Sequence, residues 1–515
     1  MRKTILSIAA SLLCLTSCNF LEVPLESSVS TSNYYNTTAE FDMSLTGVYN
    51  ILLSANWSDD ARYGTYFQGF LLLGRVGTDE MIVRYDNGHG EKALADYSYT
   101  PTNLYVSRPW YMMYKGIQRA NVIIDRLSTK NFSDVAEQTR ILAEAHFLRA
   151  FFYFHLVRLY GEVPIVIHEV TDVEGMDMKK YPIAKVYEQI VSDLKAAQSL
   201  PEANAAGRPD KRAAKVMLAK VYLQMAGEPL KDAGAAALAE SLLADVVANG
   251  GYKLVEDYFS QFDGKHEYNS EYIWDIEFSN NGTTMYGGQV GTTEGVPSPE
   301  SLYWTMLYSC PEFYNTFNEK DLRRDAIARY KLVYDNDFNI VPEYFTGEGT
   351  DYYYYVYKFR HALTAEERGS GWANWANPIN FPVTRYADVL LMYAEAGLRA
   401  HGSASAEQLE CVNMVRRRGF GVPMDKPSVY DLSTITYENL LAERSFELCF
   451  EGHRWYDLVR FGKLEEAVKK VGTDPVTANS QNQAINFQPK HNFYPVPQDV
   501  IDASHGAITQ NELWK

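Results

Sequence analysis

Cys18 closes the stretch Leu12–Cys18, LLCLTSC, and its position is what gives it chemistry. Arg2 and Lys3 precede an apolar run from Ile5 to Leu15 that is too short to cross a bilayer and is built like the apolar region of an export signal. Leu15-Thr16-Ser17-Cys18 resembles a bacterial lipobox, in which the cysteine sulfur takes a diacylglycerol as a thioether, the chain is cut before it, and the freed amine is acylated. Residues 1–17 are therefore expected to be removed, leaving a mature chain that begins at a lipid. At roughly 0.8 kcal/mol per buried methylene, three acyl chains hold a protein at a membrane surface essentially permanently.

Other chemistry is sparse. The chain has no HExxH, no GxxxxGK[ST] and no GxSxG, and its His and Cys residues form no ligand-like cluster, so the expectation is a protein that is not an enzyme and carries no cofactor or metal. Asp335-Asn336-Asp337-Phe338-Asn339 opens like a calcium loop, but the sixth position is Ile340 instead of glycine and the twelfth is Thr346 instead of glutamate. A carboxylate pair for glycoside hydrolysis can come from any part of a chain, and with 65 acidic residues the count decides nothing.

The formal net charge is −17, and loss of Arg2 and Lys3 makes it more negative. An acidic surface repels phosphate backbones and anionic headgroups, which excludes nucleic acid as a partner and leaves the lipid to do the anchoring alone. After the export signal and the lipidated position, Cys310, Cys411 and Cys449 remain, an odd number without CxxC spacing. Cys411 and Cys449 fall in helical apolar patterns and read as core thiols, with one disulfide left open.

At 515 residues the chain exceeds what one core usually organises, so two domains or an extended helical array is expected. Residues 18–37 are rich in Ser, Thr, Asn and Pro and read as a leash. Helices are predicted from Thr38, over 103–127, from the Ser133-Asp134 cap to Leu159 with Gly161 as the stop, and over 184–200, 210–226, 233–249, 405–418 and 437–460. The segments AKVMLAKVYLQMAG (214–227) and ADVLLMYAEAGLRAHG (387–402) alternate small and large residues in the manner of tetratricopeptide-like units, where a small residue on one helix receives a bulky one from its neighbour. Between them, 251–383 is rich in Gly, Asn and Tyr and has little helical periodicity. The expected organisation is a mainly α, tetratricopeptide-like helical superhelix over 38–250 and 384–515, interrupted by a large irregular, loop-rich insertion at 251–383 that is the expected binding region.

Three segments, AEAHFLRAFFYFHLVRLYGEVPIV (143–166), FPVTRYADVLLMYAEA (381–396) and LLAERSFELCFEGHRWYDLVRFGKL (440–464), together with the lipobox and the terminal NFYPVP, resemble the SusD/RagB family of outer-membrane lipoproteins. The resemblance spans nearly the whole chain and implies a SusD-like superhelix with an irregular ligand-binding region. It also implies a role: capture of a nutrient, usually a glycan, at the cell surface and delivery to a SusC-like TonB-dependent transporter. A peptide ligand, a surface glycan-degrading enzyme on the same scaffold and a purely structural interaction scaffold are the alternatives. Within these motifs Arg385 and the charges from Glu443 to Arg460 read as a structural ion network pairing along a helix flank, Phe446, Phe450 and Leu458 as core-facing, and His155 as a satisfied core histidine.

If the ligand is a glycan, its apolar C–H faces and hydroxyl rim call for exposed aromatic planes beside planar hydrogen-bonding groups. Trp110, Trp274 and Trp455 lie in patterned segments and read as core. The candidates are Trp57, Asp79, Arg84, Tyr85 and Asn87 in the first long loop, Trp304, and the pair Trp372 and Trp375 in GSGWANWANPIN (369–380). These choices rest on composition, because no family motif covers them.

Overall fold

The computed structural model describes residues 34–53, 60–83, 90–172, 178–280, 285–289, 307–334, 340–344, 353–359, 378–471 and 483–515. The helical body begins with α1 (Thr38–Tyr49), α2 (Leu104–Ser128), α3 (Val135–Tyr160), α4 (Ile183–Ala196), α5 (Lys211–Ala226) and α6 (Ala235–Asn249). It continues with α7 (Tyr386–His401), α8 (Ala406–Gly419), α9 (Tyr437–Leu448), α10 (Arg454–Arg460) and α11 (Leu464–Lys470). Starts follow side-chain caps: Asp134 accepts from the Glu137 N–H, Asp210 from Ala213, and Ser405 with Gln408 forms a reciprocal capping box. Gly161 ends α3 at φ 74°, a conformation that strains any other residue there.

Successive helices from α2 to α6 pack as neighbours where the sequence places short connections, and α7 packs on α6, so the helical layer resumes where it broke off before the insertion. Small residues set the spacing as the sequence pattern implies. A Cβ on Gly116 of α2 would lie 2.4 Å from the Phe152 ring of α3, and one on Gly397 of α7 would lie 2.0 Å from the Gln408 side chain of α8. The fold is mainly α and tetratricopeptide-like. Among the described residues no helix is long and apolar enough to cross a membrane. Cys310, Cys411 and Cys449 are buried, and Trp110, Trp274 and Trp455 are core residues.

α3 carries more than the single apolar stripe its sequence suggests. Ala143, Phe147, Ala150, Phe151 and Phe154 are buried as well, because the strand pair of the insertion covers the far side of this helix: Trp274 meets the Phe147 and Phe151 rings edge-on at 4.8 and 4.9 Å. A helix apolar on all sides belongs inside. His155 is buried and bonded to the Tyr66 hydroxyl at 2.8 Å, satisfied as expected.

The insertion holds more order than its composition suggests. A five-stranded antiparallel sheet runs in the order β1 (Met81–Val83), β5 (Leu307–Ser309), β8 (Tyr353–Val356), β6 (Ile327–Tyr334), β7 (Ile340–Tyr344), so the first long loop contributes its edge strand. β2 (Tyr272–Ile276) pairs with β9 (Phe381–Arg385), and β3 (Ser279–Asn280) with β4 (Met285–Tyr286).

Two sequence expectations need correction. The helix read over 437–460 is two, separated by a turn in which Phe450 (φ 63°) and Gly452 (φ 77°) are left-handed. The turn exists because the last carbonyls of α9 are claimed by buried donors: the Glu447 carbonyl accepts from Tyr258, Lys358 and Arg385 at 2.8, 3.1 and 2.7 Å. The charges also pair across elements more than along one flank. Glu447 receives Arg323, Arg385 and Arg418 at 3.1, 2.6 and 2.5 Å, Arg385 also binds Glu271 and Glu451, and Arg444 binds Asp388 and Asp457. Arg454, expected near Asp457, instead pairs with Asp79 at 2.6 Å. Phe450 and Leu458 are buried, while Phe446 is half-buried.

Candidate functional site

β2 and β9 pair antiparallel with register shifts on either side of Trp274, which opposes Thr384, while Asp275 opposes Pro382. Proline cannot donate to a ladder, and a bulge re-aims side chains from strict alternation. Here the bulge leaves Trp274, Asp275 and Ile276 all buried in succession. Trp274 enters the core and donates its indole N–H to the Gly207 carbonyl at 3.2 Å. Asp275 lines a groove of about 530 Å³ between this strand, the end of α1 and the loop before α5.

Tyr49, Asn50, Arg208, Tyr268, Asp275 and Glu277 supply the polar part of the groove wall. Tyr268 sits at φ 56°, in the left-handed region, and is 52% exposed. Its hydroxyl donates to the Glu277 carboxylate and accepts from the Asn380 amide at 3.2 Å, so a strained residue is fixed with its ring facing solvent. Asn380 in turn accepts from the Phe278 N–H at 2.9 Å. Asp275 is 5% exposed, and among the described residues its Oδ2 has no hydrogen-bond partner. Burial, with Glu277 and Glu267 nearby, outweighs a hydrogen bond from Asn380 and pushes its carboxyl up to about 7. Arg208 lies against the Tyr49 ring and is tied to Asp42 and Glu144 at 3.0 and 3.1 Å. The arrangement offers an exposed aromatic plane beside acceptors and amides, which suits a hydroxyl-rich ligand. Among the described residues no group of three or more His, Cys, Asp or Glu is placed to hold a metal ion.

Of the residues singled out from the sequence, Cys18, Trp57, Arg84, Tyr85, Asn87, Trp304, Trp372 and Trp375 lie outside the described residues, as does most of the rejected calcium-like loop. Asp79 is described. Both its oxygens accept from Arg454, at 2.7 and 2.6 Å, and it lines a different cavity of about 490 Å³ with Phe313, Phe446 and Phe461. The structure thus places Asp79 apart from the β2 groove. Sequence reasoning missed Tyr268 and Asp275. Tyr268 was one of 38 tyrosines with no pattern to mark it, and Asp275 is defined by a bulge that the apolar run around it does not announce.

Residues 300–514 match the model of the SusD family, and residues 20–223 match that of a family described as starch-binding and associating with the outer membrane. SusD-like protein P25 of Formosa agariphila is 25% identical over 537 residues, covering 95% of this chain and 94% of the relative. A SusD homolog from Bacteroides thetaiotaomicron superposes with a TM-score of 0.79 at 27% identity, covering 93% of this chain and 97% of its own. A laminarin-binding SusD-like protein superposes at 0.73 with 25% identity, covering 92% and 99%. The helical scaffold, the interrupting strands and these matches lead to one assignment: the chain belongs to the SusD/RagB family.

Proposed function

We propose that this protein is a glycan-binding lipoprotein of the outer membrane, anchored through Cys18 and facing the cell exterior, that captures an oligosaccharide and passes it to a SusC-like TonB-dependent transporter. The observation that carries the reading is the groove beside β2, where the solvent-facing Tyr268 ring stands next to Asp275, Glu277 and Asn50. The starch-binding description of one matching family and the laminarin bound by a structural relative support a sugar over a peptide. Capture without hydrolysis is the proposed activity, and release of reducing ends by the purified protein over long incubation would reassign it.

Two of the sequence candidates are close in sequence to residues of this groove: Leu53, four residues before Trp57, lines it, and Asn380, five residues after Trp375, holds Tyr268. Tyr268→Ala, and separately the Trp372→Ala, Trp375→Ala double variant, are expected to lower affinity about tenfold or more, the effect of losing roughly 1.4 kcal/mol of stacking. Polysaccharide affinity electrophoresis followed by calorimetry checks this, and unaltered binding by both variants would remove the site from the proposal. Cys18→Ala is expected to abolish palmitate incorporation and move the protein from the membrane to the soluble fraction.

A further inference from the structure

We infer that the β2 groove accepts uncharged oligosaccharides and excludes polyanionic ones, such as uronate-rich or sulfated glycans. The inference rests on the glycan-binding reading above and adds the chemical class of the sugar. Its first support is Asp275, a buried carboxyl that lines the groove and whose Oδ2 has no hydrogen-bond partner among the described residues. An unmade hydrogen bond at a buried carboxyl is unfavourable. A sugar hydroxyl relieves it whether the carboxyl is ionised or protonated, because it both donates and accepts, while the sulfate or carboxylate group of an anionic glycan has only lone pairs to offer.

The second support is the balance of charge around that oxygen. Glu277 lines the groove beside Asp275, and Glu267 accepts from the Asn380 N–H at 2.8 Å, within the same group of side chains. Among the described residues lining the groove the only cation is Arg208. Its guanidinium is bound to Asp42 and Glu144, and Arg140 serves the same two carboxylates at 2.7 and 2.5 Å. Among the described residues an incoming anion finds no free counter-charge there and meets Glu277, and Asp275 once ionised, at close range. The raised carboxyl of Asp275 agrees with this: the site already carries as much negative charge as its burial tolerates.

The test is affinity electrophoresis of the full-length protein against laminarin, starch and xylan as uncharged polymers and polygalacturonate, alginate and carrageenan as anionic ones. The Asp275→Asn, Glu277→Gln double variant is run alongside. Glu277→Gln alone, at an exposed position, is the control that does not fail by unfolding. The expected result is retardation by at least one uncharged polymer and none of the anionic ones, with affinity reduced about tenfold in the double variant and severalfold in Glu277→Gln. Retardation by an anionic polymer equal to or stronger than by any uncharged one overturns the inference and leaves the glycan reading standing. Retardation by no polymer overturns the glycan reading itself. Uncharged binding that neither variant alters overturns the assignment of selectivity to this groove.

Discussion

Glu447→Ala is expected to destabilise the fold by about 3–5 kcal/mol, the loss typical when one partner of a buried ion pair is removed and the other stays behind. Glu447 is fully buried, and its carboxylate is shared by Arg323, Arg385 and Arg418. Removing it strands positive charge in the core: Arg385 keeps Glu271 and Glu451, whereas among the described residues Arg418 keeps Glu271 as its one carboxylate partner. The same network joins α9 to α8, to β9 and to the loop before β2, so the damage reaches the groove's supporting strand. Burial by itself would raise the Glu447 carboxyl, but Arg418, Arg385 and Arg323 outweigh it and hold it far below the ordinary range. Because its folded value is depressed, its contribution is complete above the unfolded value near 4 and is lost as pH falls below it. Asp388, Asp457 and Glu451 are lowered too, so acid unfolding between about pH 5 and 3 is expected to be steep. Denaturant titration at pH 7 and melting curves from pH 7 to 3 measure both effects. A Glu447→Ala protein as stable as the parent would remove this network from the account of the fold.

Asp275→Asn is expected to act in the opposite direction, stabilising the protein at pH 8 by roughly 2–4 kcal/mol while weakening sugar binding. The carboxyl is raised to about 7 by burial and by Glu277 and Glu267, so ionising it in the folded state is unfavourable. An unfolded chain loses this proton near 4, whereas the folded chain keeps it until about 7, so stability falls as pH rises across that window. Asparagine has no proton to lose. Its advantage should be absent near pH 4, grow through pH 7 and remain level above it. Stability curves for parent and variant at pH 4, 6 and 8 check the shape, and a gain that does not depend on pH would show that the carboxyl is not strained. A buried acid kept at a cost to stability beside a groove fits the proposed binding role.

Much of the scaffold was legible because helix periodicity and caps act locally. Asp134 and Gly161 bound α3 within a residue of where the sequence places them, and the Ser405 and Thr436 capping boxes mark the starts of α8 and α9. The break at 449–453 was not legible. Residues 437–460 hold an almost continuous helical pattern, and what interrupts it is a set of donors from Tyr258, Lys358 and Arg385, between 62 and 189 residues away. Strands in 251–383 were missed for a related reason: β1 and β5 pair Val83 with Leu307, and short strands buried on both faces carry no alternation to read.

By itself the sequence determined the helical repeats and the stock of aromatic and amide side chains, and it set the expectations of a lipidated Cys18 and of no nucleic-acid partner. Each of these is a property of neighbouring residues or of the whole composition. The tertiary structure alone decided that Asp79 pairs with Arg454 and that Tyr268 and Asp275 stand together in a groove. The reason is physical: exposure, desolvation and an unpaired oxygen depend on what distant segments pack around a residue, and the identity and spacing of the residue carry no record of it.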